Sequence, residues 1–428
     1  MKNSLKKILN ERLKNSLWMV SEKGLSIFGL IFVTSLVAKY IGPSVYGELA
    51  LAGTIFAIVR AVAILGIDQI YFKQASKKSY QNSQLIVNAI YIISSIYIPF
   101  SVLTLGWFYF YGSGQHIVFF VATCLAVYIG VIDIRAIHLD AILLSKYNVI
   151  ANSVGILISL ISRYLIVKFN LPIELLSIPI ILTAFVPFVL RQLIFSSKVK
   201  LQNPKLKLIH FISYYRYFLK VGIPLVVSSL SVTIYTQCAN LILASLESTK
   251  EVGYYSIAST LAGCWYFVPV TLMMSYLSGI YNERDEEKSL KKSVRLFRII
   301  SIFCIFIITM LALFGKFIIT KLYGDAFIPS IKIFYYLLIA NYFSVMGFFF
   351  FRLTLKYGGY KFLANKMVLT CIINVPLTYI LVRLYGVIGG AYAIVITEFI
   401  SSFIINLLYK PLRAKEILLR TIGINIIK

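Results

Sequence analysis

Acidic side chains are scarce in this chain: 16 Asp and Glu stand against 42 Lys and Arg, and charged residues together fill only 14% of 428 positions. With 59% of positions hydrophobic, that shortage excludes a conventional soluble domain. Cysteine is sparse as well. The 5 cysteines, Cys124, Cys238, Cys264, Cys304 and Cys371, lie inside apolar stretches and form no C-x-x-C pair. They read as buried small hydrophobes, so neither a disulfide framework nor a metal or redox centre is expected. A P-loop, an H-E-x-x-H and a G-x-S-x-G site are all missing, and no external connection exceeds about a dozen residues, which leaves a membrane-embedded polymerase or ligase nowhere to mount its reacting groups. Neither catalysis nor a cofactor is expected. A cleavable leader is missing too: Glu22 and Lys23 interrupt the apolar run behind the basic start, and the first span is read as retained.

What fills the chain instead is a series of twelve apolar stretches of roughly 21 to 29 residues, each long enough to cross a ~30 Å hydrocarbon core as an α-helix at 1.5 Å per residue. They fall at 18–40, 46–72, 85–110, 117–139, 149–169 and 173–195, then at 218–246, 253–281, 296–322, 331–355, 362–384 and 387–408. Prolines at 99, 179, 187, 224, 269 and 376 lie within them. Neighbouring helices or cavity water satisfy the carbonyls that proline frees, so kinks are expected there. The fold class is all-α integral membrane.

A net charge of +26 would suggest nucleic acid in a soluble protein, so the position of the charges decides. They lie between the spans rather than along one face, and the aromatic residues sit in or at the ends of the spans, as in membrane-interface belts. Nucleic acid is not expected as a partner. With the N-terminus inside, the connections on that side, counting Arg191 and Lys366 among their residues, hold about 31 basic residues against some seven outside, which places both termini in the cytoplasm. The reading by segment is a cytoplasmic amphipathic N-terminus at 1–17, a six-helix half at 18–195, a basic cytoplasmic linker at 196–217, a second six-helix half at 218–409 and a cytoplasmic tail at 410–428. Residues 2–15 and 412–427 are amphipathic, which fits either basic anchoring flanks or helices lying on the anionic inner leaflet.

The halves show internal similarity. Val45-Tyr46-Gly47-Glu48-Leu49-Ala50-Leu51-Ala52 lies on Glu251-Val252-Gly253-Tyr254-Tyr255-Ser256-Ile257-Ala258, and Tyr147-Asn148-Val149-Ile150-Ala151-Asn152 lies on Tyr360-Lys361-Phe362-Leu363-Ala364-Asn365. Two matches at corresponding helices indicate a duplicated six-helix unit related by an axis along the membrane normal.

Polar residues kept inside the spans point to function, because a cation at the centre of a transmembrane helix costs about 2.5 to 3.5 kcal/mol on insertion scales. Arg60 is the clearest case, near the middle of the second span and too deep for easy snorkelling. Lys23 and Arg163 lie nearer the ends of their spans. Arg135, with Asp133, His138 and Asp140, reads equally as a satisfied internal network or as a ligand site. Glu398 is the only acid near mid-depth; it either pairs with Arg60 or another cation, or binds a proton or sodium ion. Asn240, Asn341 and Asn374 add neutral donors, for which interhelical hydrogen bonding is the default.

Several ordered segments carry a resemblance. Ala38-Lys39-Tyr40-Ile41-Gly42-Pro43-Ser44-Val45-Tyr46-Gly47 and Gly66-Ile67-Asp68-Gln69 in the first half are joined in the second by 251–258, by Leu322-Tyr323-Gly324-Asp325 and by Tyr385-Gly386-Val387-Ile388-Gly389-Gly390-Ala391-Tyr392-Ala393. Together they resemble the Wzx-type flippases of lipid-linked sugar repeat units, in the multidrug/oligosaccharidyl-lipid/polysaccharide superfamily, over essentially the whole chain. The resemblance implies a MATE-like fold of two six-helix halves. It also implies transport of an undecaprenyl-diphosphate-linked oligosaccharide, for O-antigen or capsule, from the inner to the outer leaflet of the bacterial plasma membrane. Membrane lipid and a polysaccharide polymerase are its implied partners. A cationic cavity lined by Arg60, with Lys23, Arg163, Arg135 and Asn240, would take the diphosphate, and Glu398 and Asp133 would supply an ion or salt-bridge site. One departure stands out. Many relatives carry a basic residue and an Asp late in the seventh helix, where this chain reads Tyr235-Thr236-Gln237-Cys238-Ala239-Asn240, so an ion-coupled mechanism does not transfer directly. The alternative is a MATE-like drug or metabolite cation antiporter, which would favour an acid-lined cavity.

Overall fold

A backbone inside hydrocarbon must satisfy its own N–H and C=O groups, which favours helix throughout, and no strand occurs among the described residues. The computed structural model describes residues 2–76, 82–111, 116–198 and 208–421, and within these the side chains of 2–23, 25–28, 30, 82–84, 111, 198 and 208–211 lie outside the described set. The first half contains α1 (Lys2–Ala63), α2 (Ile67–Ala75), α3 (Asn82–Tyr111), α4 (Ile117–Ile132), α5 (Ile134–Ala141), α6 (Ser145–Lys168) and α7 (Ser177–Lys198). Then follow α8 (Leu208–Leu246), α9 (Thr249–Gly263), α10 (Phe267–Tyr281), α11 (Glu286–Tyr323), α12 (Ser330–Lys356), α13 (Tyr360–Tyr385), α14 (Val387–Phe399) and α15 (Ala414–Thr421).

Among the described residues 11 helical stretches are long and apolar enough to cross a membrane. The protein is a multi-pass membrane protein. The twelfth expected span is hidden in α1, where Gly42 adopts φ 75° and ψ 174° and breaks one continuous run into two helices. Only glycine takes that backbone without strain, and Pro43 then starts the next helix at its favoured first position.

Three spans are interrupted in mid-course. The second breaks at 64–66 between α1 and α2, the fourth at Asp133 between α4 and α5, and the eighth at 264–266 between α9 and α10. The last span passes from α14 into a π-helical turn, Ile400–Ile404, and then a 3-10 turn, Ile405–Leu408. Broken helices of this kind expose backbone and side-chain polar groups at membrane depth, which transporters use for ligands.

The chain forms two compact units, Met1–Thr233 and Ile234–Lys428, and the division falls within α8. In the first unit α6 packs on α7 and α1, α4 on α7 and α1, α3 on α4 and α1, and α2 on α5. Around the Gly42 turn, Val37 and Ile41 meet Phe119, Ile166 and Leu176 in a buried cluster, and Tyr40 Oη donates to the Leu171 carbonyl at 2.8 Å. In the second unit α12 is central and packs on α9, α11 and α14, with α13 on α14. Phe297 of α11 meets Phe349 and Phe350 of α12 at ring distances of 5.3 and 5.6 Å. Large apolar side chains such as Leu103 and Trp107 of α3, and Ile302, Phe306, Leu313 and Phe317 of α11, are exposed, as a lipid-facing surface requires.

The described part of the amphipathic tail packs against α11. Within it, α15 buries Ala414 and Ile417. Arg420 reaches Glu287 at 2.5 Å, Arg413 pairs with Glu416 and Glu287, and Arg298 Nη2 donates to the Arg420 carbonyl at 2.9 Å. Residues 422–427 of the amphipathic stretch lie outside the described residues.

Candidate functional site

Arg60 sits on the face of α1 turned away from the core of its unit. Ala52, Phe56, Val59 and Ala63 are buried along one side at helical spacing, whereas Arg60 is exposed, with Gly53 and Ala57 on its side and Phe56 and Ile64 one turn before and after it. The small residues Gly53 and Ala57 leave room for water and ligand beside the charge. None of the described ion pairs includes Arg60.

The other cations of the first unit are engaged differently. Arg163 of α6 is half-buried and stands near Tyr46 of α1. Arg135, at the start of α5, lies over the rings of Phe188 and Phe195 at 5.8 and 6.0 Å. The side chain of Lys23 lies outside the described residues.

Asp133 is buried at the break between α4 and α5, and its partner is a residue counted above among the cytoplasmic cations. Arg191 Nε donates to Asp133 Oδ2 at 2.6 Å, and Arg191 Nη1 donates to Asn152 Oδ1 at 2.6 Å. Arg191 is 7% exposed. Neighbouring polar groups bond to one another: Tyr71 Oη meets His138 Nδ1 at 2.7 Å, and Asn148 Nδ2 donates to Asp140 Oδ1 at 2.8 Å and to the Ala136 carbonyl at 2.7 Å, while Asp133 Oδ1 and Asn148 Oδ1 are buried without a hydrogen-bond partner among the described residues. Arg135 stands beside this network on aromatic rings.

A second polar seam runs between α13 and the last span. Asn374 Nδ2 donates to Thr397 Oγ1 at 3.0 Å, Thr370 Oγ1 to Ser401 Oγ at 3.3 Å, and Lys366 Nζ to Asn406 Oδ1 at 3.1 Å. The register of this antiparallel pair is informative. Position 374 faces 397 and 370 faces 401, so a regular helix would set Ile405 opposite Lys366. The extra residue of the π turn sets Asn406 there instead. Lys366, which the reading above put among the cytoplasmic cations, is 4% exposed. Glu398, two residues before the π segment, is half-buried, lies within electrostatic range of Lys366 and stands near Tyr235 and Tyr266. None of the described ion pairs includes it. Asn240 Nδ2 donates to Gln237 Oε1 at 3.5 Å, and Ser256 Oγ of α9 donates to Asn240 Oδ1 at 3.4 Å. Among the described residues no group of three or more His, Cys, Asp or Glu is placed to hold a metal.

Residues 12–274 match the polysaccharide biosynthesis protein family, more than half of the chain. The chain belongs to the polysaccharide biosynthesis protein family. The fold of this family member is similar to that of the lipid II flippase MurJ in an inward closed conformation, with a TM-score of 0.74, 18% identity, and coverage of 96% of this chain and 91% of that one. It is similar also to an inward-facing multidrug resistance MATE transporter of the MOP superfamily, with a TM-score of 0.65, 13% identity and coverage of 92% and 95%. A Vibrio cholerae MATE transporter, VcmN in its bent form, gives 0.55 at 15% identity, covering 95% and 99%. The fold is therefore MATE-like, shared by a flippase and by drug transporters. No curated protein matches this family member in sequence.

Arg191, Asn152, Lys366 and Asn406 escaped the sequence reading of polar sites. Yet Lys366, Thr370, Asn374 and Thr378 recur every fourth residue along α13, a polar stripe visible in the sequence. Arg191 likewise stands inside an apolar run and four residues from its end, where a flanking cation would stand outside it.

Proposed function

We propose that this protein moves a polyprenyl-diphosphate-linked oligosaccharide repeat unit, destined for O-antigen or capsule, from the inner to the outer leaflet of the bacterial plasma membrane by alternating access through a cationic cavity. The observation that carries this reading is Arg60, an exposed guanidinium in mid-span with Gly53 and Ala57 on its side, in a chain of the polysaccharide biosynthesis protein family. The substrate's head is anionic and cannot cross hydrocarbon, while its prenyl tail stays in lipid. The transporter solvates the head alone, and a guanidinium fork suits phosphate oxygens. The likeness to a solved lipid II flippase supports a lipid-linked cargo. Both termini in the cytoplasm, no catalytic step, and a polymerase receiving the product complete the reading.

Arg60→Gln and Arg60→Ala should abolish repeat-unit transport at normal membrane abundance, with lipid-linked units accumulating on the cytoplasmic leaflet, and Arg60→Lys should keep part of it. Full transport in the alanine variant removes Arg60 from the mechanism. The alternative of a cation antiporter draws on Glu398, an acid in the second unit beside Tyr235 and Tyr266. Lys366 beside that acid works against a cationic ligand, which favours the flippase.

A further inference from the structure

The break in the second span has a consequence at its far side. Leu65 and Gly66 both take left-handed backbone conformations, at φ 48° and 64°, and α8 seats directly on them. A side chain at Gly222 would overlap the Leu65 carbonyl, and the Leu225 side chain covers Gly66. Beyond this contact a groove of about 510 Å³ lies between α2 and α8, within the size range of about 300 to 1,000 Å³ typical of small-ligand sites.

The two walls of the groove differ in chemistry. On α2, Gln69 and Lys73 stand one turn apart, as do Ile70 and Gln74; on α8, Tyr217, Val221 and Leu225 occupy successive turns. One wall thus offers an ammonium and two amides, and the other is apolar and aromatic. Lys73 is exposed, and none of the described ion pairs includes it. A cation outside the described ion pairs, with amide donors facing an apolar wall, matches an amphiphile that carries a phosphate head on a hydrocarbon chain. The α8 wall carries further basic residues, Arg216 and Lys220, which raise the local concentration of anions.

We propose that this groove captures the phosphate head of a polyprenyl-linked lipid before the head moves on to Arg60, which precedes the groove on the same broken span. This rests on the flippase reading above. Lys73, with Gln69 and Gln74, receives phosphate oxygens, and Ile70, Val221 and Leu225 hold the first prenyl units.

The test measures binding of undecaprenyl diphosphate to the full chain in phosphatidylcholine nanodiscs by native mass spectrometry, with Arg60→Gln as background so that the groove is read alone. Lys73→Gln should weaken binding about tenfold, the loss of one charge-assisted hydrogen bond, and Lys73→Arg should retain it. Val221→Trp, which fills the groove at an exposed position, should weaken it by a similar factor without touching the charge. Inorganic diphosphate should fail to compete, and phosphatidylglycerol should compete at least tenfold more weakly. Unchanged affinity in both Lys73→Gln and Val221→Trp overturns the proposal, as does equal competition by inorganic diphosphate or by phosphatidylglycerol. Flipping assays separate the two claims. Loss in Arg60→Gln with wild-type half-saturation in Lys73→Gln leaves the flippase reading and sinks the groove. Absence of flipping by the wild-type chain, with weakened binding in the groove variants, does the reverse.

Discussion

At the scale of single residues, the decisive contrast is between charges that the fold has paired and charges it has left open. Asp133 and Arg191 are both buried and joined at 2.6 Å, and a pair of this kind matters mainly through the penalty of breaking it. Removing one partner strands the other charge and costs about 3 to 5 kcal/mol, whereas replacing both with apolar groups of similar volume is often neutral. Asp133→Leu and Arg191→Met should therefore each lower the thermal midpoint sharply in detergent, and the double variant should recover most of the loss. Simple addition of the two effects would argue against the pair. Much of this was legible: Arg60, Asp133, Arg135 and Glu398 stand out as charges inside apolar runs. Which of them are partnered was not, because Asp133 and Arg191 are 58 residues apart, and hydropathy along the chain carries no information about contacts across it.

At the scale of elements, the spans themselves follow from apolar length, and the Gly42-Pro43 turn was readable from residue chemistry. The break at Asp133 was not, since no glycine or proline stands at it and tertiary packing decides where a helix yields; the break at 264–266 follows Gly263, the last residue of α9, a single glycine too weak a signal to place it. The start of α8 at Leu208, within the stretch read as a linker, escaped for a similar reason: its first turns are basic and polar enough to look like a connection. The C-terminal helix gives a test at this scale. Glu287 and Glu416 hold Arg413 and Arg420, and these pairs are partly solvent-exposed, so salt should loosen them. A cysteine introduced at Ile417, 1% exposed, should resist maleimide in low salt and become reactive in Arg420→Ala or at about 1 M salt, where the screening length falls to about 3 Å. Equal reactivity in all three conditions would mean that the apolar contact of α15, rather than its arginines, holds the helix in place.

At the scale of the whole molecule, the family and the MATE-like fold were both within reach of ordered motifs spread along the chain, whereas the cargo was not, because those motifs are turn and packing chemistry. The surplus of basic residues bears on energetics as well as on topology. A diphosphate leaving an inside-negative cell moves downhill by about 2.3 kcal/mol per charge per 100 mV, so transport needs no coupled ion to have a direction. In proteoliposomes, flipping toward the positive side should accelerate as a potassium diffusion potential is raised and slow when its polarity is reversed. Indifference to the potential would mean that a co-transported cation cancels the charge of the head.

The π turn at Ile400–Ile404 makes the last span tolerant of a particular kind of genetic accident. It already holds one residue more than a regular winding needs, so loss of a single codon between 400 and 404 heals the bulge and still delivers Asn406 to Lys366. The same loss upstream, between 387 and 396, would drag Thr397 and Ser401 out of phase with Asn374 and Thr370, by about 100° around the axis. Length variation in this span is expected to gather at that one turn.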